Sequence, residues 1–310
     1  MGQIQIIETG SYLPGEEITN EYLQNKLNLE NNYIKKMTGI EKRFYAKEET
    51  IEEMALKAAK NLLKKNQNIL KDEIDLIIVA TTTPNKFMPG IANYIQKKLE
   101  IPECNAFDIL AGCNGYITAF DIASTYIQLG KIKRALVIGV DILSKYTADR
   151  DVGTSIILSD GAGAILLGIQ KSQKKYFSKI ISQGKNNEIL TCSKDEKIFM
   201  NGKEIYKYAV TEPVKIVKDI LNEAKISLDD IKYVIPHQSN KRIMDAIARR
   251  LHMPKEKMYM NIKNVGNTFC ASIPIAINQM NEENLIYKGD NVILLGYGGG
   301  INTGCILLEI

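Results

Sequence analysis

Residues 62–80 (LLKKNQNILKDEIDLIIVA) and 219–237 (DILNEAKISLDDIKYVIPH) carry one pattern twice: a helix-like stretch, a polar turn, then an apolar run. Ile74 falls on Ile231, an offset of 157. The same offset lays residues 135–139 (ALVIG) over 292–296 (VILLG). It also sets Cys113 opposite Cys270, each followed by a small-residue helical start. Three matches at one spacing point to a gene duplication. The halves are expected at 1–170 and 171–310, meeting near 168–178. Residues 170–175 (QKSQKK) are the polar punctuation there, although a surface hairpin inside one half would look the same. No long linker separates the halves, so they are expected to share one core.

Short apolar runs at 76–80, 135–139, 163–168, 233–236, 292–296 and 305–308 alternate with longer amphipathic stretches. Buried strands between helices give this texture, so the class is α/β. At 310 residues the chain can bury one large core or two joined ones. Basic and acidic residues nearly balance, 40 against 36, and the net charge of +4 gives no field suited to nucleic acid. Five cysteines, an odd count without a CxxC pair, read as reduced thiols in a cytoplasmic protein. Residues 1–6 (MGQIQI) fit neither a signal peptide nor a myristoylation motif, and no run of eighteen apolar residues exists. The expectation is a cytoplasmic protein outside the membrane.

Residues 105–110 (NAFDIL) read as a strand, and residues 111–115 (AGCNG) then open an amphipathic helix running to about Leu129. Small neighbours let the backbone turn sharply and leave the Cys113 sulfur unobstructed. A cysteine at a helix start faces unpaired N–H groups, which stabilise its thiolate and lower its pKa. Cys104, Cys192 and Cys305 lack that setting and read as structural, and Cys270, preceded by Phe269, reads as the duplicated partner that packs.

The chain has two histidines. His252 closes a helix. His237 ends the strand 233–236 and opens Gln238-Ser239-Asn240, at the carboxyl end of a strand where ligands collect in α/β folds. A structural histidine and a catalytic one both remain open on that ground alone. Asn267 lies in a Gly266-Asn267-Thr268 turn before another helix-like stretch. Such a residue serves its own backbone, or, beside His237, offers a second N–H to one carbonyl oxygen as it becomes an enolate. The runs 159–164 (SDGAGA) and 296–300 (GYGGG) match no phosphate loop. They read as close backbone approaches, with residues 298–300 placed to donate an N–H toward Cys113.

With these residues in view, the chain resembles β-ketoacyl-acyl-carrier-protein synthase III along nearly its whole length. The resemblance rests on residues 38–43 (TGIEKR), 111–115, 160–164, 236–240 (PHQSN), 266–268, 271–274 (ASIP) and 298–300. It implies a thiolase-like five-layer αβαβα fold and a homodimer. It further implies a decarboxylative Claisen condensation of an acyl thioester primer with a malonyl-carrier-protein thioester, through acyl-Cys113, in fatty-acid or related biosynthesis. Cys113, His237 and Asn267 match the catalytic set, and the main-chain N–H groups of Cys113 and Gly299 match the acyl oxyanion hole. The Cys–His–Asn set is similar to synthase III or chalcone-synthase relatives, not to the Cys–His–His synthases of chain elongation.

Met88 matches a residue that floors the partner's acyl pocket. Tyr33, Asn240 and Phe269 fall at substrate-binding positions. Arg242, Arg249 and Arg250 match the basic patch that receives acyl carrier protein. The resemblance implies no metal or cofactor, with coenzyme A or phosphopantetheine thioesters as substrates. Tyr33, Met37 and Val152 depart from the tryptophan and arginines with which such enzymes grip coenzyme A, Ser159 replaces a glycine, and Phe269-Cys270 replaces a smaller pair. A primer carried on a protein in a specialised, polyketide-type pathway therefore stays open, as does an acyltransferase that loads without condensing. A silent partner subunit typically loses the cysteine, which this chain keeps.

Overall fold

The computed structural model describes residues 3–148, 150–170, 176–193 and 196–310. Most of the 170–175 segment expected between the halves lies outside them.

Among the described residues nine strands form two large sheets, beside the two-stranded pairs Glu16–Thr19 with Lys42–Tyr45 and Leu190–Thr191 with Phe199–Met200. The first holds β1 (Gln3–Tyr12), β2 (Leu76–Ala80), β3 (Asn105–Ile109), β4 (Ala135–Asp141) and β5 (Gly161–Gln170), in the order β1-β5-β4-β2-β3. The second holds β6 (Phe177–Ser182), β7 (Tyr233–Pro236), β8 (Asn291–Gly298) and β9 (Asn302–Glu309), in the order β7-β8-β9-β6. β2 pairs parallel with β4 and with β3, and β7 pairs parallel with β8. The second sheet thus repeats the first without its edge strand. A single parallel bridge from Val234 to Met258 marks the missing place.

The offset of 157 runs through the details. The single-turn helices Lys71–Glu73 and Leu228–Asp230 precede β2 and β7. The turns Gly112–Asn114 and Phe269–Ala271 lead into long helices.

Layering follows from strand alternation. Ile77, Val79, Leu136 and Ile138 pack outward on the helices α1 (Ile51–Lys65) and α2 (Ile91–Leu99). Leu76, Ile78, Val137, Val292 and Leu294 point the other way, into one core with α3 (Gly115–Gln128) and α6 (Ser272–Glu282). Ile293 and Leu295 face out again, onto α4 (Glu212–Ala224) and α5 (Lys241–Arg250). The result is five layers, αβαβα, with α3 and α6 covered on both sides. Their faces carry fully buried Tyr116, Ile117, Phe120 and Ala276. Each large side chain removed from water there contributes about 1.5–3 kcal/mol.

Both inner helices start at the carboxyl ends of β2, β4, β7 and β8, so their leading turns meet. Among the described residues no helix is long and apolar enough to cross a membrane.

Candidate active site

Glycine makes the meeting of those turns possible. Gly112 adopts φ +59, and a Cβ on it would come within 2.3 Å of the Gly299 carbonyl oxygen. A Cβ on Gly298 would sit 2.8 Å from Cys113 Sγ. The glycine run after β8 therefore packs directly against the nucleophile candidate, as its sequence suggests. The duplicated Cys270 is fully buried, and its thiol donates to the Gly112 carbonyl at 3.2 Å. It braces the Cys113 turn and faces no cavity.

The repeat places Phe269 where the other half has Gly112, and both backbones are left-handed, Phe269 at φ +44. For a bulky residue that conformation costs on the order of 1–3 kcal/mol, a strain found mainly at functional sites. The Phe269 N–H donates to Oδ1 of Asn267 at 3.1 Å, and the Asn267 Nδ2 donates to the Ser239 carbonyl at 3.4 Å. One N–H of the carboxamide is left over.

His237 is 2% exposed. Its main-chain N–H donates to Leu295, and its ring stands edge-on to Tyr297 and Phe269, with centroids 5.5 and 6.4 Å away. Nδ1 lies 2.8 Å from Ser272 Oγ at the start of α6. When Ser272 donates to Nδ1, Nε2 carries the ring proton and is the end left for a ligand. Burial pushes the imidazole down to about 3, so it is neutral at pH 7.

Cys113, His237, Asn267 and Phe269 line one cavity of about 630 Å³, together with Tyr33, Met37, Val152 and Arg242. A second cavity of about 300 Å³ lies beside Thr82, Leu110 and Gly299. Cys113, Leu190, Ile198 and Phe269 line both, so the sulfur stands where the two meet.

The thiolate expected from the helix start is not what the surroundings favour. Burial, then the charge of Asp141, push the Cys113 thiol up to about 12, while the N–H groups of Gly299 and of Cys113 itself pull the other way. A rise of that size is worth roughly 4 kcal/mol against the thiolate. A helix start returns about 0.3–1 kcal/mol, and at most about 2. Desolvation wins, and Cys113 rests as a thiol.

The remaining expected residues are spread more widely. Tyr33 lines the larger cavity. Asn240 lines the cavity, but its Oδ1 caps α5 at Arg242 N–H and its Nδ2 donates to the Met37 carbonyl, so both ends of its amide are taken. Arg242 is exposed and its guanidinium lies on the Met37 sulfur at 3.7 Å. Arg250 is committed to the Val210 carbonyl at 2.7 Å and to Thr211, whereas Arg249 is exposed beside it. Met88 is 83% exposed and lines neither cavity of its own chain. Among the described residues no three metal-ligating side chains cluster. Ser272 and Tyr297 lie in the 271–274 and 296–300 stretches without a role the sequence assigns them, and nothing local marks Asp141. Their partners come from 35 or more residues away.

A nucleophile at the start of one inner helix, with a histidine and an asparagine brought from the duplicated half, defines a thiolase-fold condensing enzyme of the acyltransferase class. The comparisons narrow this. A family model described as 3-oxoacyl-(acyl-carrier-protein) synthase III matches residues 107–193, and its C-terminal companion matches residues 221–310. The chain belongs to this family. It is similar to the β-ketoacyl-(acyl-carrier-protein) synthase III of Clostridium novyi, 38% identical over all of this chain and 99% of that one. It is also similar to the solved 3-oxoacyl-(acyl-carrier-protein) synthase III of Aquifex aeolicus, 38% identical with a TM-score of 0.96, covering 99% of this chain and 100% of that one. The Thermus thermophilus synthase III superposes with a TM-score of 0.94 at 30% identity, covering 98% of each chain.

Proposed function

We propose that Cys113 takes the acyl group of a primer thioester and passes it to the carbon of a decarboxylated malonyl unit. The observation that carries this reading is the convergence of Cys113, His237 and Asn267 on one cavity. In loading, Cys113 sulfur attacks the thioester carbonyl. The N–H groups of Gly299 and Cys113 stabilise the oxyanion, and the departing thiol leaves with the proton that Cys113 gives up. In condensation, Nε2–H of His237 and Nδ2–H of Asn267 hold the malonyl thioester oxygen while carbon dioxide departs. The enolate carbon then attacks acyl-Cys113. The sulfur leaves as thiolate and takes a proton from solvent, and a 3-oxoacyl thioester is released, as in the first elongation of fatty-acid biosynthesis.

The neutral state of His237 suits this role, since a donor to an enolate need not carry charge. The larger cavity suits a phosphopantetheine arm from coenzyme A or a carrier protein, and the smaller one suits the acyl chain. Arg242 and Arg249 offer the carrier protein its cationic contacts. No metal or cofactor takes part in these steps. The halves divide at 1–170 and 171–310.

A homodimer is supported by β3, which among the described residues pairs only with β2, and by Leu110, Phe87 and Met88, which are 66, 82 and 83% exposed. A cytoplasmic location agrees with the reduced cysteines. Intact-mass measurement after incubation with a panel of acyl thioesters, followed by malonyl-carrier protein, tests the proposal. An acyl adduct that vanishes with release of carbon dioxide supports it. An adduct that only hydrolyses reduces it to acyl transfer.

A further inference from the structure

Asp141 closes β4 and is fully buried, and among the described residues no cation pairs with it. Its Oδ1 accepts from the hydroxyls of Thr81, Thr82 and Thr83 at 3.1, 2.8 and 3.0 Å, and from the Thr82 N–H at 2.7 Å. Its Oδ2 accepts the N–H of Cys270 at 3.0 Å. Thr81 Oγ1 also accepts from Thr83 N–H, and Thr83 Oγ1 from Ile142 N–H, so both hydroxyl protons are directed at the carboxylate. Burial pushes this carboxyl up, and the N–H groups of Thr82 and Cys270 with the hydroxyls of Thr82 and Thr83 offset part of that rise. An ion kept in the core without a counter-ion needs a reason.

The reason lies in what the two oxygens join. Oδ1 gathers the loop after β2 in the first half. Oδ2 reaches across to the turn Phe269–Ala271 in the second. Consecutive amides of that turn are each tied down, Phe269 N–H to Asn267 Oδ1 and Cys270 N–H to Asp141 Oδ2. Between them sits the left-handed Phe269. Without its second tie the turn is free to relax, and the orientation of the Asn267 carboxamide goes with it.

We propose that Asp141 is a positioning residue that holds the strained Phe269–Cys270 turn and thereby aims the Asn267 amide at the malonyl oxygen. This rests on the loading-then-condensing reading above. The same charge opposes ionisation of Cys113, so removing it moves the two steps in opposite directions. General loss of structure would lower both.

The experiment is Asp141→Asn in the full chain, with acyl-enzyme and carbon dioxide followed separately in a single turnover. Carbon dioxide release is expected to fall on the order of ten- to a hundredfold, with acyl-Cys113 accumulating. Alkylation of Cys113 by iodoacetamide at pH 8 is expected to rise, about tenfold for each unit by which the thiol pKa falls. Equal rates in variant and parent overturn the role of Asp141, as does loading that falls in step with decarboxylation. Should Asp141→Asn fail to fold, Thr81→Val removes one Oδ1 donor and keeps the charge. A severalfold loss confined to carbon dioxide release supports the proposal, and a loss confined to loading, or no loss, overturns it. A parent protein that takes up no acyl group overturns the function on which the inference rests. A parent that loads and condenses beside an indifferent Asp141→Asn overturns only the inference.

Discussion

Phe269 gives its main-chain N–H to Asn267 Oδ1 at 3.1 Å, which fixes which end of that carboxamide is the donor. Asn267→Ala therefore removes one N–H from the developing enolate, a loss that typically costs about a hundred- to a thousandfold. The proposed loading step uses different donors, at Gly299 and Cys113. The variant is expected to build up acyl-Cys113 while carbon dioxide release collapses. A rapid-quench experiment with labelled malonyl thioester measures both, and equal losses in the two steps would contradict the division of labour.

Burial, then the charge of Asp141, push the Cys113 thiol up to about 12. Its alkylation by iodoacetamide should climb about tenfold per pH unit from 7 to 10 without levelling near 8 or 9, where an ordinary thiol saturates. Peptide mapping should place the adduct on Cys113. A plateau below pH 9, or a principal adduct on Cys270, would refute this assignment.

His237 makes stability depend on pH. Its imidazole titrates near 6.5 in an unfolded chain and at about 3 in the folded protein. The unfolded state thus binds the proton first. The contribution is fully present above about 6.5 and is lost as pH falls toward 3, by up to about 1.4 kcal/mol per unit. Asp160, pushed up to about 6 by burial, works in the opposite sense and masks part of the effect. Subtracting the urea-unfolding profile of His237→Gln from that of the parent removes the Asp160 part. The difference should slope by about one proton between pH 6 and 4, and a flat difference would exclude a buried neutral His237.

β3 is the edge strand of its sheet, and its Asp108 accepts the N–H of Ile91, a few residues after the exposed Phe87 and Met88. Placing a charge there, as in Phe87→Arg, should turn a dimer into a monomer at micromolar concentration in sedimentation. Acyl loading should fall with it if Met88 closes the neighbour's acyl cavity, as the family resemblance implies. A parent protein that is monomeric and fully active would remove the dimer from the proposal.

Much of this was legible in the residues because the repeat is itself a geometric statement. An offset of 157 fixes β2 against β7, β4 against β8, and the Cys113 turn against the Cys270 turn. A histidine after a strand and an asparagine before a helix then fall at corresponding ends of the sheets. What stayed hidden depends on burial and on distant partners. The state of the Cys113 thiol is set by solvent exclusion, which no local pattern encodes. Asp141 looks like any strand-end acid until Thr81–Thr83 and Cys270 close around it. Asn240 and Arg250 show the converse: side chains suited to binding are consumed by a helix cap and by main-chain carbonyls.

The shared inner layer has a consequence for how the chain comes into being. Leu76, Ile78, Val137 and Ile165 belong to the first half, yet their core is completed by Ile273, Ala276 and Ile277 of α6. Ribosomes add about 5–20 residues per second, so residues 171–310 follow the first half by roughly seven to twenty-eight seconds. Through that interval the nascent half, nucleophile included, carries an apolar face with nothing of its own to cover it. The chain is therefore expected to lean on chaperones during synthesis and to fold as one event once both halves have emerged.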